Sequence, residues 1–159
     1  RTDLARLVEE ELAAREAELR AADVHVREVA LARVEVLADR DRLHQVVGNL
    51  LANAARHCRP GDEVNVALDR AGDEAVLRIS DTGPGIPAAD LPRVFDRYWR
   101  GGKPGVQGSG LGLAVAREIV TAHGGTIEVR SPGVGTTVVV RLPALAPAPG
   151  AAEETREEA

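Results

Sequence analysis

Between Asp41 and His57 the chain sets polar residues at a spacing that could do chemistry: Gln45, Asn49, Asn53 and Arg56 recur every three or four positions. In a helix they fall along one edge. The other side, Leu43, Val46, Val47, Leu50, Leu51 and Ala54, forms one apolar stripe of the kind that packs on a core. Carboxamide oxygens are hard ligands for Mg²⁺, and a guanidinium pairs with phosphate oxygens, so this edge suits a metal-nucleotide complex. Asn pairs are also common as plain solvated surface, and this stretch alone leaves both readings open.

Two further stretches change that balance. Ser80-Asp81-Thr82-Gly83-Pro84-Gly85-Ile86-Pro87 places a carboxylate at the end of an apolar strand, followed at once by glycines. Such a carboxylate can accept from an exocyclic amine, and the glycines let a flat base approach the backbone. A plain turn has the same composition. Gly108-Ser109-Gly110-Leu111-Gly112-Leu113 stands where a loop becomes a helix, and free amides at a helix start with no side chains in the way make a phosphate site. The dinucleotide fingerprint needs a different glycine spacing after a strand, and Gly102-Lys103-Pro104 lacks the Ser or Thr of a Walker loop.

The elements that position these residues follow from periodicity. Asp3 caps a helix expected to reach Leu19 or Arg20, with Leu4, Leu7, Val8, Leu12 and Leu19 inside. Val24–Val29 and Arg33–Leu37 alternate as two short strands joined by a turn. After the Asn-bearing helix, Glu63–Leu68 and Ala75–Ser80 pair around Arg70-Ala71-Gly72-Asp73. A glycine-rich segment of some thirty residues then suggests a functional lid. A helix from Ser109 to His123 ends at Gly124-Gly125, and the last strands are Thr126–Arg130 and Gly135–Leu142. The order does not alternate strand with helix, so an α/β two-layer sandwich is expected, one mixed and mostly antiparallel sheet with three helices on one face. Residues 1–143 read as one domain and 144–159, rich in Ala, Pro and Glu, as a disordered tail.

At 159 residues with 44% apolar and 28% charged side chains, an ordinary core is expected. The net charge of −5 speaks against a nucleic-acid binder. Phe95, Tyr98 and Trp99 are the only aromatic residues; clustered in the lid, they suggest a docking surface. Cys58 has no second cysteine to pair with, which fits a reducing compartment. No apolar run is long enough to cross a membrane. A chain beginning at Arg1 without any Met reads as a piece of a longer protein.

Taken in order, these motifs resemble the catalytic and ATP-binding domain of bacterial two-component sensor histidine kinases, of the GHKL ATPase group. Asn49-Leu50-Leu51-Ala52-Asn53-Ala54 resembles its N box, Asp81-Thr82-Gly83-Pro84-Gly85 its G1 box, Phe95–Tyr98 its F box, and Gly108–Leu113 its G2 box. Gly135-Thr136-Thr137 resembles the closing Gly-Thr motif. The resemblance implies a Bergerat-type fold binding ATP and Mg²⁺, with Asn53 on the metal, Asn49 and Arg56 near the phosphates, and Asp81 on adenine supported by Thr136. Amides of Gly110, Leu111 and Gly112 would hold phosphates; His57, Gly83, Gly85, Ile86, Lys103, Gly108 and Ser109 complete the implied set. The lid would run from about Arg93 to Gln107, with Phe95, Tyr98 and Trp99 for partner docking. His57 stands where the family often has Tyr, and Val138 where Phe is common.

None of His25, His44, His57 and His123 has the acidic residue and Arg-x-Pro context of a phosphoacceptor. The resemblance therefore implies γ-phosphoryl donation to a His on an upstream dimerisation domain, for relay to a response regulator. The fragment alone would be monomeric and turn ATP over slowly, the parent protein homodimeric, cytoplasmic, and able to reach the inner membrane through segments elsewhere. The alternative is a nucleotide-gated protein-binding regulator of the anti-sigma-factor kinase type.

Overall fold

The computed structural model describes residues 1–96 and 112–147. Five strands form the main sheet in the order β2-β4-β5-β7-β6: β2 (His25–Leu31), β4 (Glu63–Ala71), β5 (Glu74–Asp81), β7 (Thr136–Pro143) and β6 (Thr126–Arg130). Only the β2–β4 pair is parallel. Alternation places Val64, Val66, Leu68, Leu77, Ile79, Val138, Val140 and Leu142 on one face, in a single buried cluster with the helices.

The helices are α1 (Leu4–Ala14), α2 (Glu16–Ala21), α3 (Arg40–His57) and α4 (Gly112–Ala122). Asp39 caps α3 by accepting from the amides of Asp41 and Arg42 at 3.0 and 3.3 Å. The stripe Leu43, Val46, Val47, Leu50, Leu51 and Ala54 is buried as its spacing requires. α4 stops at Gly124, whose φ of +77° suits a residue without Cβ. The expected start of this helix at Ser109 lies outside the described residues.

Three expectations need correction. The first helix is broken at Arg15, where the ends of the Glu11 and Arg15 side chains lie over Gly48 of α3. The expected hairpin of Val24–Val29 with Arg33–Leu37 does not form. β2 instead runs parallel to β4, and β3 (Glu35–Val36) pairs with β1 (Thr2–Asp3) in a separate two-stranded sheet. The intervening Ala32-Arg33-Val34 contains none of the residues that make a tight turn. The ordered chain also continues past Pro143: Ala144 N–H donates to Asp73 O at 2.7 Å, Leu145 N–H to Glu35 O at 2.8 Å, and Arg70 donates to Leu145 O at 2.7 Å. Backbone pairing holds these residues where composition offers no reason to expect them.

The bonds made by Ala144 and Leu145 give an expected outcome. A chain ending at Pro147 should unfold at a higher temperature than one ending at Pro143, by on the order of a few degrees in calorimetry. Equal midpoints would show that these contacts contribute nothing.

Candidate functional site

α3 and α4 lie side by side and run in opposite directions. Near one end Asn49 Nδ2 donates to the carbonyl of Gly112, the first residue of α4, at 3.3 Å. At the other, the amide of Asp39 donates to His123 Nε2 at 3.2 Å while His123 Nδ1 donates to Ile119 O at 2.7 Å. The two bonds fix the ring's tautomer and pin the helices together. A Cβ on Gly112 would come within 3.8 Å of the Arg56 guanidinium and 3.9 Å of Asn49, so Arg56, Asn49 and the start of α4 meet at one place. Asn53 is half-buried on the same edge of α3, one turn further on.

Asp81 ends β5. Its Oδ1 accepts from the Gly83 amide at 2.9 Å, and the amide of Thr136, its neighbour across the β5–β7 ladder, also bonds the carboxylate. Burial pushes the Asp81 carboxyl above its usual range, the nearby Asp62 charge adds to this, and the two amides oppose it. The folded value exceeds the unfolded one, so this group favours the folded state at low pH and loses that contribution as pH rises through the folded value. The ionised form of Asp81 is therefore disfavoured by the fold.

The turn after Asp81 is built around backbone that only glycine fits. Gly85 has φ +79°, and a Cβ there would press on Gly133 O and on Ser131 Oγ, the latter at 2.9 Å. Gly135 has φ +84° and lies against the Asp81 carbonyl. Ser131 joins the two turns: it accepts from the Ile86 amide at 2.8 Å and donates to Gly135 O at 2.7 Å. By sequence Ser131-Pro132-Gly133 is only a turn, and nothing in the local pattern marks the serine as a bridge. Cys58 caps α3 beside Gly83. Burial with Asp81 and Asp62 nearby pushes its thiol up to about 12, so it stays protonated.

The structure brings together Asn49, Arg56 and Gly112 at one end and Asp81, Gly83, Gly85, Ile86 and Thr136 at another. Lys103, Gly108, Ser109, Gly110, Leu111, Tyr98 and Trp99 lie outside the described residues. Phe95 packs against the core, with the Arg117 guanidinium 5.2 Å from its ring centre. Among the described residues no group of acidic, His or Cys side chains could hold a metal. No helix among them is long and apolar enough to cross a membrane.

A family model described as histidine kinase-, DNA gyrase B- and HSP90-like ATPase matches residues 38–146. Sensor protein SrrB of Staphylococcus aureus is 44% identical over 109 residues, 66% of this chain and 19% of SrrB. The mycobacterial sensor histidine kinase MprB superposes with a TM-score of 0.80 at 33% identity, covering 90% of this chain and 97% of that one. Histidine kinase AdeS of Acinetobacter baumannii gives 0.74 at 29% identity, over 91% and 66% of the two chains. The α/β sandwich, the paired Asn-bearing and glycine-led helices and the strand-end carboxylate agree with these likenesses, and the chain belongs to the histidine kinase-, DNA gyrase B- and HSP90-like ATPase family, as a catalytic ATP-binding domain of the sensor histidine kinase kind.

Proposed function

We propose that this domain holds Mg²⁺-ATP between α3 and the start of α4 and presents its γ-phosphoryl group to a His on an upstream dimerisation domain, which passes it to a response regulator. The observation that carries this reading is the meeting of Asn49 and Arg56 with the first residue of α4, while Cys58 at the end of α3 lies against Gly83, whose amide bonds Asp81. Asp81 would accept from the adenine amine, and Gly83 and Gly85 would let the base lie against the backbone. The start of α4 would direct amides of Gly110, Leu111 and Gly112 at the phosphates, with Gly108 and Ser109 leading in. Arg56 and Lys103 would supply positive charge.

Asn53 fits a hard cation because its carboxamide offers a neutral oxygen on a rigid helix. When bound, the ion neutralises charge on the phosphate oxygens. Positioning and charge neutralisation are most of what phosphoryl transfer requires from a protein, so this chain supplies the donor side and another domain the nucleophile. His57 and Ile86 would border the nucleotide. Tyr98 and Trp99, with the lid between about Arg93 and Gln107, would face the partner domain, whereas Phe95, expected there too, packs inward against the core beneath Arg117. The parent protein would be a homodimer with this part in the cytoplasm. The relatives found are named sensor proteins and histidine kinases, which gives no support to the anti-sigma-type alternative.

Three outcomes test this. Asp81→Ala should weaken ATP binding by about 1.5–3 kcal/mol in calorimetry, the cost of a lost charged hydrogen bond; unchanged affinity would remove the adenine assignment. Protonation converts Asp81 from acceptor to donor, so wild-type affinity should fall on acidification, beginning at a higher pH than an ordinary Asp would give, because burial raises this carboxyl. Asp81→Asn should lack that acid limb. Asn53→Ala should abolish the stimulation of nucleotide binding by Mg²⁺, and a variant that still responds normally would overturn the metal assignment.

A further inference from the structure

Asp62 lies between the exit of α3 and the end of β5, and its side chain is only 14% exposed. Its Oδ2 accepts from the Arg59 amide at 2.6 Å. Its Oδ1 accepts from Thr82 Oγ1 at 3.2 Å, and that hydroxyl accepts in turn from the Glu63 amide at 2.9 Å. Backbone bonds tighten the same junction: Asp62 N–H to Arg59 O at 3.0 Å and Thr82 N–H to Glu63 O at 3.0 Å. Cys58, beside Arg59, lies against Gly83, beside Thr82. A closed ring of contacts thus runs from the end of α3 through Asp62 and Thr82 to the turn that carries Asp81.

α3 holds the carboxamides, and β5 holds the carboxylate that would read adenine. Nucleotide binding needs both at a fixed separation, and a misplacement of about 1 Å costs heavily at such sites. We propose that Asp62 is a positioning residue of the nucleotide site, fixing the Asp81 carboxylate relative to α3 by bridging Arg59 and Thr82. The proposal rests on the adenine reading of Asp81.

Asp62 has a second effect through its charge. The groups set around Asp81 among the described residues are Asp62, the neutral Cys58 thiol, and the amides of Gly83 and Thr136. Arg59, at 65% exposed, is screened by solvent. Asp62 is the like charge in that set, and it makes ionisation of Asp81 harder. Removing it lets Asp81 stay ionised to lower pH.

The test is calorimetric binding of ADP with excess Mg²⁺ to the 159-residue chain across the acid range, with thermal midpoints measured in parallel. Thr82→Val should weaken binding by about 3–10-fold, the usual worth of one bridging hydrogen bond, and Thr82→Ser, which restores the hydroxyl, should bind as wild type. Asp62→Asn should move the acid midpoint of binding to lower pH. The proposal is overturned if Thr82→Val and Asp62→Asn bind as wild type with the acid midpoint in place while Asp81→Ala has lost affinity. It is overturned equally if Asp62→Asn only lowers the thermal midpoint, since a purely structural role does that. Wild-type binding by Asp81→Ala would instead remove the adenine reading itself. Should Asp62→Asn fail to fold, the contrast between Thr82→Val and Thr82→Ser decides.

Discussion

A carboxylate that has no cationic partner among the described residues, kept at the end of a central strand, is the constraint around which this domain is arranged. Burial makes the Asp81 charge costly, and two backbone amides, from Gly83 and Thr136, meet only part of that cost. Holding it there requires the β5–β7 ladder to run to its last pair, Asp81 opposite Thr136. It also requires Gly135, with its positive φ, to pass against the Asp81 carbonyl.

The other half of the site depends on two helices whose relative position is set twice. Asn49 reaches the first turn of α4, and His123, just beyond the last turn, reaches the cap of α3. Between these two contacts the helices share one buried apolar cluster, including Leu50, Leu51 and Ala54 of α3 and Leu113, Ala116 and Val120 of α4. Asn49 therefore serves the fold as well as the proposed nucleotide site. Its amide nitrogen is engaged with Gly112 O. Arg56 lies near the same junction, so the guanidinium and the glycine-led helix start converge.

Much of this was legible in the chain itself. The stripe of α3, the capping by Asp3, the glycine stop after α4 and the β4–β5 pairing all arise from interactions within one element or between neighbours in sequence. The failures came where distant segments decide. Val24–Val29 and Arg33–Leu37 do alternate as strands, but alternation identifies a face and not a partner. Parallel pairing with β4 reaches across the whole of α3. The Glu11 and Arg15 side chains meet α3 over Gly48, more than thirty residues on, and Ala144 and Leu145 are held by Asp73, Glu35 and Arg70. None of these relations leaves a mark within a window of ten or fifteen residues.

The sequence by itself determined the chemical types: carboxamides on a helix edge, a carboxylate ahead of glycines, a glycine-led helix start, and the order that joins them to a family. Periodicity and side-chain chemistry are local, so they survive in one dimension. Tertiary structure decided which of these groups meet and in what electrical surroundings. Ser131, Asp62 and Thr82 act through partners tens of residues away, and the proton affinity of Asp81 comes from burial and from Asp62, neither of which exists until the sheet has closed around it.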